Sequence, residues 1–285
     1  MAAADDRQAT WTSEIDDLIR GACGGFLFGI PLIYTMEVWW IGSAVSPSRI
    51  LASLAITFVA VFLLNRTAGF RKTRDVRTID ALIDSVEALA VGIVCTACVL
   101  VLLREVTFTA SLGGVLGKIV FESAPFTTGV ALANQFLSGS DDQPDDDSSG
   151  DSKPNATLSD IGSTMIGAAI IGFSIAPTDE IPMLATAVSG PWLLGVIVAS
   201  LLISYAIVFE ADFANQTKRQ QQRGIFQGPL SETIASYLAS LAVAVFMLWF
   251  FERLSFDDPW SLWLSHTLLL GLPATIGGAA GRLAI

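Results

Sequence analysis

The chain has 285 residues, 52% of them hydrophobic and 15% charged, with a mean hydropathy of +0.60; a soluble domain would carry about 25% charge. The net charge of −11 lies largely in the N-terminal stretch and a central acidic segment and argues against a nucleic-acid partner. One histidine, and no zincin, serine-elbow or phosphate-loop pattern, argue against a membrane protease, a zinc hydrolase or an ATP-driven pump, so no enzyme is expected.

A membrane-spanning helix needs about 20 mostly apolar residues to cross about 30 Å of hydrocarbon. Runs of that kind fall near 19–41, 50–65, 81–103, 109–136, 159–183, 191–210, 229–250 and 260–281. They predict an all-α polytopic membrane bundle of about eight spans. The opening "MAAADDRQATWTSEIDDLIR" is acidic and polar where a cleavable signal would be basic and then apolar, so residues 1–18 read as a retained cytoplasmic tail. Lys and Arg accumulate in cytoplasmic loops. The loop after the second span holds Arg66, Arg71, Lys72, Arg74 and Arg77, and the loop after the sixth holds Lys218, Arg219 and Arg223. With an even number of spans, both termini are then cytoplasmic. The segment 138–158, rich in Asp, Ser, Gly and Pro, cannot bury a core and reads as a flexible acidic linker.

The linker sits at mid-chain, and the two halves match. Shifting the sequence by 143 lays "TMEVWWIGSAVS" on "TDEIPMLATAVS", pairing Thr35 with Thr178 and Glu37 with Glu180. A shift of 148 pairs Asp84 with Glu232, "REVTF" with "ERLSF", Lys118 with His266, and "PFTTGVA" with "PATIGGA". Residues 19–137 and 159–285 therefore read as two four-span repeats. Because four is even, the repeats enter the membrane from the same side and are parallel, related by an axis along the membrane normal.

Acids inside apolar runs are the candidate functional residues, because ionisable groups at membrane depth mark ion paths, relays or bound ligands. Glu37 and Glu180 occupy one position in two copies, with Thr35 and Thr178 two residues before them and Asp179 beside Glu180. The alternative is that each lies near the interface and is solvated there by headgroups and water. In "APTDEIP", Pro177 and Pro182 bracket the acids and should bend or break the span. Freed carbonyls and carboxylates at such a break suit a cation; a plain proline kink is the other reading.

Asp80, Asp84 and Glu87 share one face at the start of the third span, where they also fit simple helix capping. Lys118 and Glu122 are one turn apart in the fourth span, and in the second half His266 replaces the lysine. These two basic residues are candidate modulators beside the acids, or else packing and hydrogen-bonding groups. The glycines and threonines of "PFTTGVALANQ" and "PATIGGAAGR" suit close helix crossing and read as a seam where the repeats meet, with Asn134 and Arg282 at its cytoplasmic end. Cys95 and Cys98 lie in an apolar span and read as packing residues; with Cys23 the count is odd, so no disulfide framework is expected.

"GIPLIYTMEVWW", "ESAPFTTGVALANQ" and "GFSIAPTDEIPML" resemble an uncharacterised family of prokaryotic integral membrane proteins. The resemblance covers most of the chain outside the tail and the linker. It implies a multi-pass protein of the prokaryotic inner membrane and brings no activity. From the residues, the expected function is a transporter or channel for protons or small inorganic cations. Glu37, Asp179, Glu180 and Glu122 would carry it, with Asp84, Glu87 and Glu232 on the inner side and Lys118, His266, Thr35 and Thr178 modulating. No organic cofactor is expected, although carboxylates suit Ca²⁺, Mg²⁺, Mn²⁺ or Na⁺. Expected partners are the bilayer, the transported ions and a second copy of the chain. The competing reading is a sensor or assembly protein whose acids only hold helices together.

Overall fold

The computed structural model describes residues 2–68, 78–138, 156–210 and 228–283. The regular structure among them is helical: α1 (Ala2–Ile33), α2 (Met36–Ala44), α3 (Pro47–Ala68), α4 (Thr78–Leu102), α5 (Leu112–Ser138), α6 (Ala156–Ile175), α7 (Glu180–Ala187), α8 (Gly190–Tyr205) with a π-helical turn at Ala206–Glu210, α9 (Pro229–Phe250) and α10 (Trp260–Leu283). Helices α3, α4, α5, α8 with its π turn, α9 and α10 are long and apolar enough to cross a membrane. Two bent pairs bring the number to eight: Glu14–Ile33 with α2, at 92°, and Asp160–Ile175 with α7, at 88°. The chain divides into two compact units. The first comprises α1 to α3, α4 as far as Leu100, and α5 as far as Phe136; the second takes in Val101–Glu105 and the helices from α6 to α10. Arg71, Lys72, Arg74, Arg77, Lys218, Arg219, Arg223 and residues 139–155 of the acidic linker lie outside the described residues.

The break expected at "APTDEIP" is present, and the first unit has one as well. In the first unit Thr35 Oγ1 donates to the Leu32 carbonyl at 3.0 Å; in the second Thr178 Oγ1 donates to the Ile175 carbonyl at 2.7 Å. A hydroxyl that bonds three residues back competes with the backbone ladder where the helix has to end. Pro177 adds a second cause in the second unit, since it has no N–H to continue the ladder. Helix α1 ends at Ile33, and α2 runs at 92° to it. The apolar run read as a span near 19–41 turns a corner here.

Each unit is built around its fourth long helix. In the second, α10 packs against α6, α7, α8 and α9, and the stretch Leu268–Ala279 is buried throughout. In the first, α5 touches α1 through Gly24, Gly25 and Gly29, α2 through Gly42, and α4 through Gly92. The closest approaches are glycine on glycine: a Cβ on Gly24 or Gly129 would strike the other's carbonyl oxygen, and so would one on Gly167 or Gly277. These are the same crossing in two copies, since Gly24 and Gly167 are 143 apart and Gly129 and Gly277 are 148 apart. Within each unit, the small residues read as a seam join its first and fourth long helices.

The ends of α4 and α9 repeat each other with the same fidelity. Arg104 (φ 64°) and Glu252 (φ 58°) are the described non-glycine residues with left-handed backbone. They close their helices with matching bonds, Val106 N to the Leu100 carbonyl at 3.2 Å and Leu254 N to the Leu248 carbonyl at 3.2 Å. Around the α9 to α10 turn, Trp249, Phe250, Phe256 and Trp260 are exposed, as aromatic side chains are at a membrane interface.

Candidate functional site

Glu37 and Glu180 each stand in the first turn of a short transverse helix, α2 and α7. Their surroundings differ. Glu37 is exposed, whereas Glu180 is 5% exposed, buried with Ile181 and Leu184 of its own helix. Asp179, exposed, accepts a 2.7 Å ion pair from Arg253, whose other terminal nitrogen donates to the Pro177 carbonyl. The carbonyl and carboxylate that the sequence offered to a cation at this break are thus held by a guanidinium from the α9 to α10 turn. Thr35 and Thr178, read as modulators, spend their hydroxyls on ending α1 and α6.

Along α4 the three acids of one face separate by depth: Asp80 is exposed, Glu87 half-buried and Asp84 only 4% exposed. Beside Asp84, Ser85 Oγ donates to the Ala81 carbonyl at 2.5 Å and accepts from Asn65 Nδ2 of α3 at 3.0 Å. On α5, Glu122 is 2% exposed and Lys118 half-buried. Gly42 of α2 packs so closely on Lys118 that a Cβ there would lie 2.9 Å from the lysine's backbone nitrogen and Cα. On α10, His266 is buried at the lysine's repeat position.

In the second unit, Glu232 of α9, the repeat partner of Asp84, forms an ion pair with Arg282 of α10. Arg282 is fully buried, and its guanidinium lies 5.7 Å from the centre of the Phe209 ring in the π-helical turn. A π turn re-aims one or two side chains and recurs at functional sites. Here it brings Phe209 over the arginine, a cation-on-ring contact.

Three participants escaped the sequence reading. Arg253 sits in the quoted "ERLSF" but faces a helix break 74 residues away in sequence. Arg282 was placed at the end of a packing stretch, although a lone arginine among glycines and alanines signals a buried partner. Asn65 closes the second apolar run beside Arg66, and nothing in the sequence singles it out. Among the described residues, no three His, Cys, Asp or Glu side chains gather closely enough to hold a metal ion.

The family described as "Putative integral membrane protein (DUF2391)" matches residues 17–285. The chain belongs to this family. No curated protein and no solved structure matches it. In an integral membrane protein the burial figures gain weight, because surface facing lipid offers no water to a charge. Asp84, Glu122 and Glu180 are each removed from lipid and solvent alike on apolar helices, an arrangement able to take up and release a proton or a desolvated cation. Glu232 and Asp179 have arginine partners and are held as ion pairs.

Proposed function

We propose that this integral membrane protein moves protons or small inorganic cations, as a transporter or channel, through Asp84, Glu122 and Glu180. The observation that carries the reading is their burial, at 4%, 2% and 5% exposure. Acids at such depth are costly, and proton relays and ion pathways are where membrane proteins use them. Lys118 and His266 would modulate the path, and Glu87 would stand at its edge. Within this reading the protein is not an enzyme, needs no organic cofactor and works in a prokaryotic inner membrane with both termini in the cytoplasm.

The test is flux in proteoliposomes across a panel of cations and under a pH gradient. Asp84→Asn and Glu122→Gln should abolish whichever flux the unaltered protein shows while leaving it folded. Absence of flux for every ion, or full flux in both variants, would overturn the proposal.

A second reading, a sensor or assembly protein with structural acids, draws on the two arginine pairs. Asp179 with Arg253 and Glu232 with Arg282 are neutralised contacts of the kind that hold helices together. On this reading, replacing the acids changes stability and leaves no flux to lose.

A further inference from the structure

We propose that the Thr127 hydroxyl is a proton-relay group of the first unit, set in a notch at Gly92 at a depth between the buried acids Glu122 and Asp84. This rests on the transport reading and deepens it, naming the proton as the transported ion and a hydroxyl as one station of its path.

A threonine on a helix has a bond within reach, since its hydroxyl can donate to the carbonyl three or four residues back. Thr96, Thr128 and Thr275 do so, on Gly92 at 2.7 Å, Ala124 at 2.8 Å and Gly271 at 2.6 Å. Thr127 does not. It is fully buried, and its Oγ1 has no hydrogen-bond partner among the described residues. The packing gives the cause: Oγ1 is turned onto α4 at Gly92, where a Cβ would collide with it. Gly92 makes room for an oxygen, and the oxygen forgoes its helix bond to sit there. A hydroxyl has one hydrogen. Where that hydrogen is committed, as in Ser85 on Ala81 and Thr96 on Gly92, it cannot be passed on without breaking a bond. Thr127 has both its hydrogen and its lone pairs uncommitted, so it can take a proton on one side and release one on the other.

Glu122 lies five residues before Thr127, about 7.5 Å along α5, and Asp84 lies eight residues before Gly92, about 12 Å along α4. Consecutive spans run in opposite directions, so these two displacements point to opposite sides of the membrane. At such separations water molecules complete the chain on either side of the hydroxyl. A hydronium on one side gives its proton to Oγ1 as the hydroxyl's own hydrogen leaves to a water on the other. One O–H bond forms, one breaks, and rotation about Cβ–Oγ1 resets the group. The second unit lacks this station: Leu270 stands in the place of Glu122, Ser240 in that of Gly92, and Thr275, at the position of Thr127, is bonded back to Gly271. Close helix packing alone would account for the notch, but it would leave flux indifferent to the oxygen.

The experiment is proton flux into proteoliposomes under a pH gradient, with the melting temperature of each purified full-length variant in detergent as the second readout. Thr127→Val should lower flux about a hundredfold, the low end of what a positioned proton-transfer group contributes. It should leave Tm unchanged or higher, because the hydroxyl it removes makes no hydrogen bond. Thr127→Ser keeps the oxygen and should keep most of the flux. Thr275→Val should do the reverse of Thr127→Val, lowering Tm with the loss of its bond to Gly271 and leaving flux intact. Thr127→Ala deletes the same oxygen with less bulk; it should also lose flux, and it carries the test if the valine variant fails to fold. Proton flux kept in whichever of the two folds, or a flux loss in Thr127→Val accompanied by the Tm drop of Thr275→Val, would overturn the relay. Flux of Na⁺ without flux of protons would overturn it too and leave the transport reading standing; no flux of any ion in the unaltered protein would end both.

Discussion

The two units agree in backbone and differ in charge. Both end their first crossing with a threonine hydroxyl on the carbonyl three residues back, both turn by about a right angle into a short transverse helix, both cross glycine on glycine, and both cap their third long helix with a left-handed residue. The charged groups on this shared frame diverge. Glu37 is exposed where Glu180 is buried; Met36 stands where Asp179 meets Arg253; Asn134 stands where Arg282 meets Glu232. Duplication therefore supplied two copies of an architecture, and the copies then specialised. In the second, Asp179 and Glu232 meet arginines; in the first, Asp84, the repeat partner of Glu232, is buried near the start of α4.

Breaking the shared frame should produce the largest effect. Gly129→Val and Gly277→Val each force a side chain into the facing glycine's carbonyl, beyond the about 1–3 kcal/mol of ordinary overpacking. Both should prevent recovery of folded protein, or lower its Tm more than any other single change, as read by unfolding in detergent. If only one did, the two crossings would not be equivalent.

Next comes the charge that distinguishes the units. Arg282→Met strips a fully buried guanidinium from Glu232 and should destabilise by about 3–5 kcal/mol. Adding Glu232→Leu should restore most of the loss, because a well-packed apolar pair replaces a buried ionic one at little net cost. A double variant as unstable as the single would mean the pair is not the reason for the arginine.

The break should respond more weakly. Thr35→Val and Thr178→Val each remove one hydroxyl bond of 3.0 or 2.7 Å and should cost about 1 kcal/mol apiece. Equal costs in chemical unfolding would sharpen the equivalence. Smallest of all, Arg253→Ala loses a pair whose aspartate is 69% exposed, for about 1 kcal/mol or less. A larger effect would make the guanidinium a structural keystone of the break.

How much of this was readable from the amino acids depends on which interactions are local. The long apolar helices and the internal repeat follow from composition and from pairs such as Gly129 with Gly277. The bend at "APTDEIP" was legible because proline acts on its own turn. The matching bend at Thr35 was not, since "YTMEVWW" contains no breaker and hydropathy alone runs straight through the corner. Nothing in the sequence announced that Glu37 would stand, exposed, in the first turn of a short helix bent by 92° from the one before it. Burial of Asp84, Glu122 and Glu180 is a tertiary outcome, as are the reach of Arg253 to Asp179 and of Arg282 to Glu232. No spacing rule in one sequence tells which acid will be buried and which will meet an arginine.

The central claim is that buried carboxylates, rather than membrane acids in general, carry ion movement, and the repeat supplies its own control. Glu180 and Glu37 share a position, a preceding threonine and a transverse helix, and differ in burial. The deciding measurement is cation or proton flux into proteoliposomes reconstituted with equal amounts of the unaltered protein, Glu180→Gln and Glu37→Gln. The account predicts flux lost in Glu180→Gln and nearly kept in Glu37→Gln, with both variants folded. Equal flux in all three would contradict it.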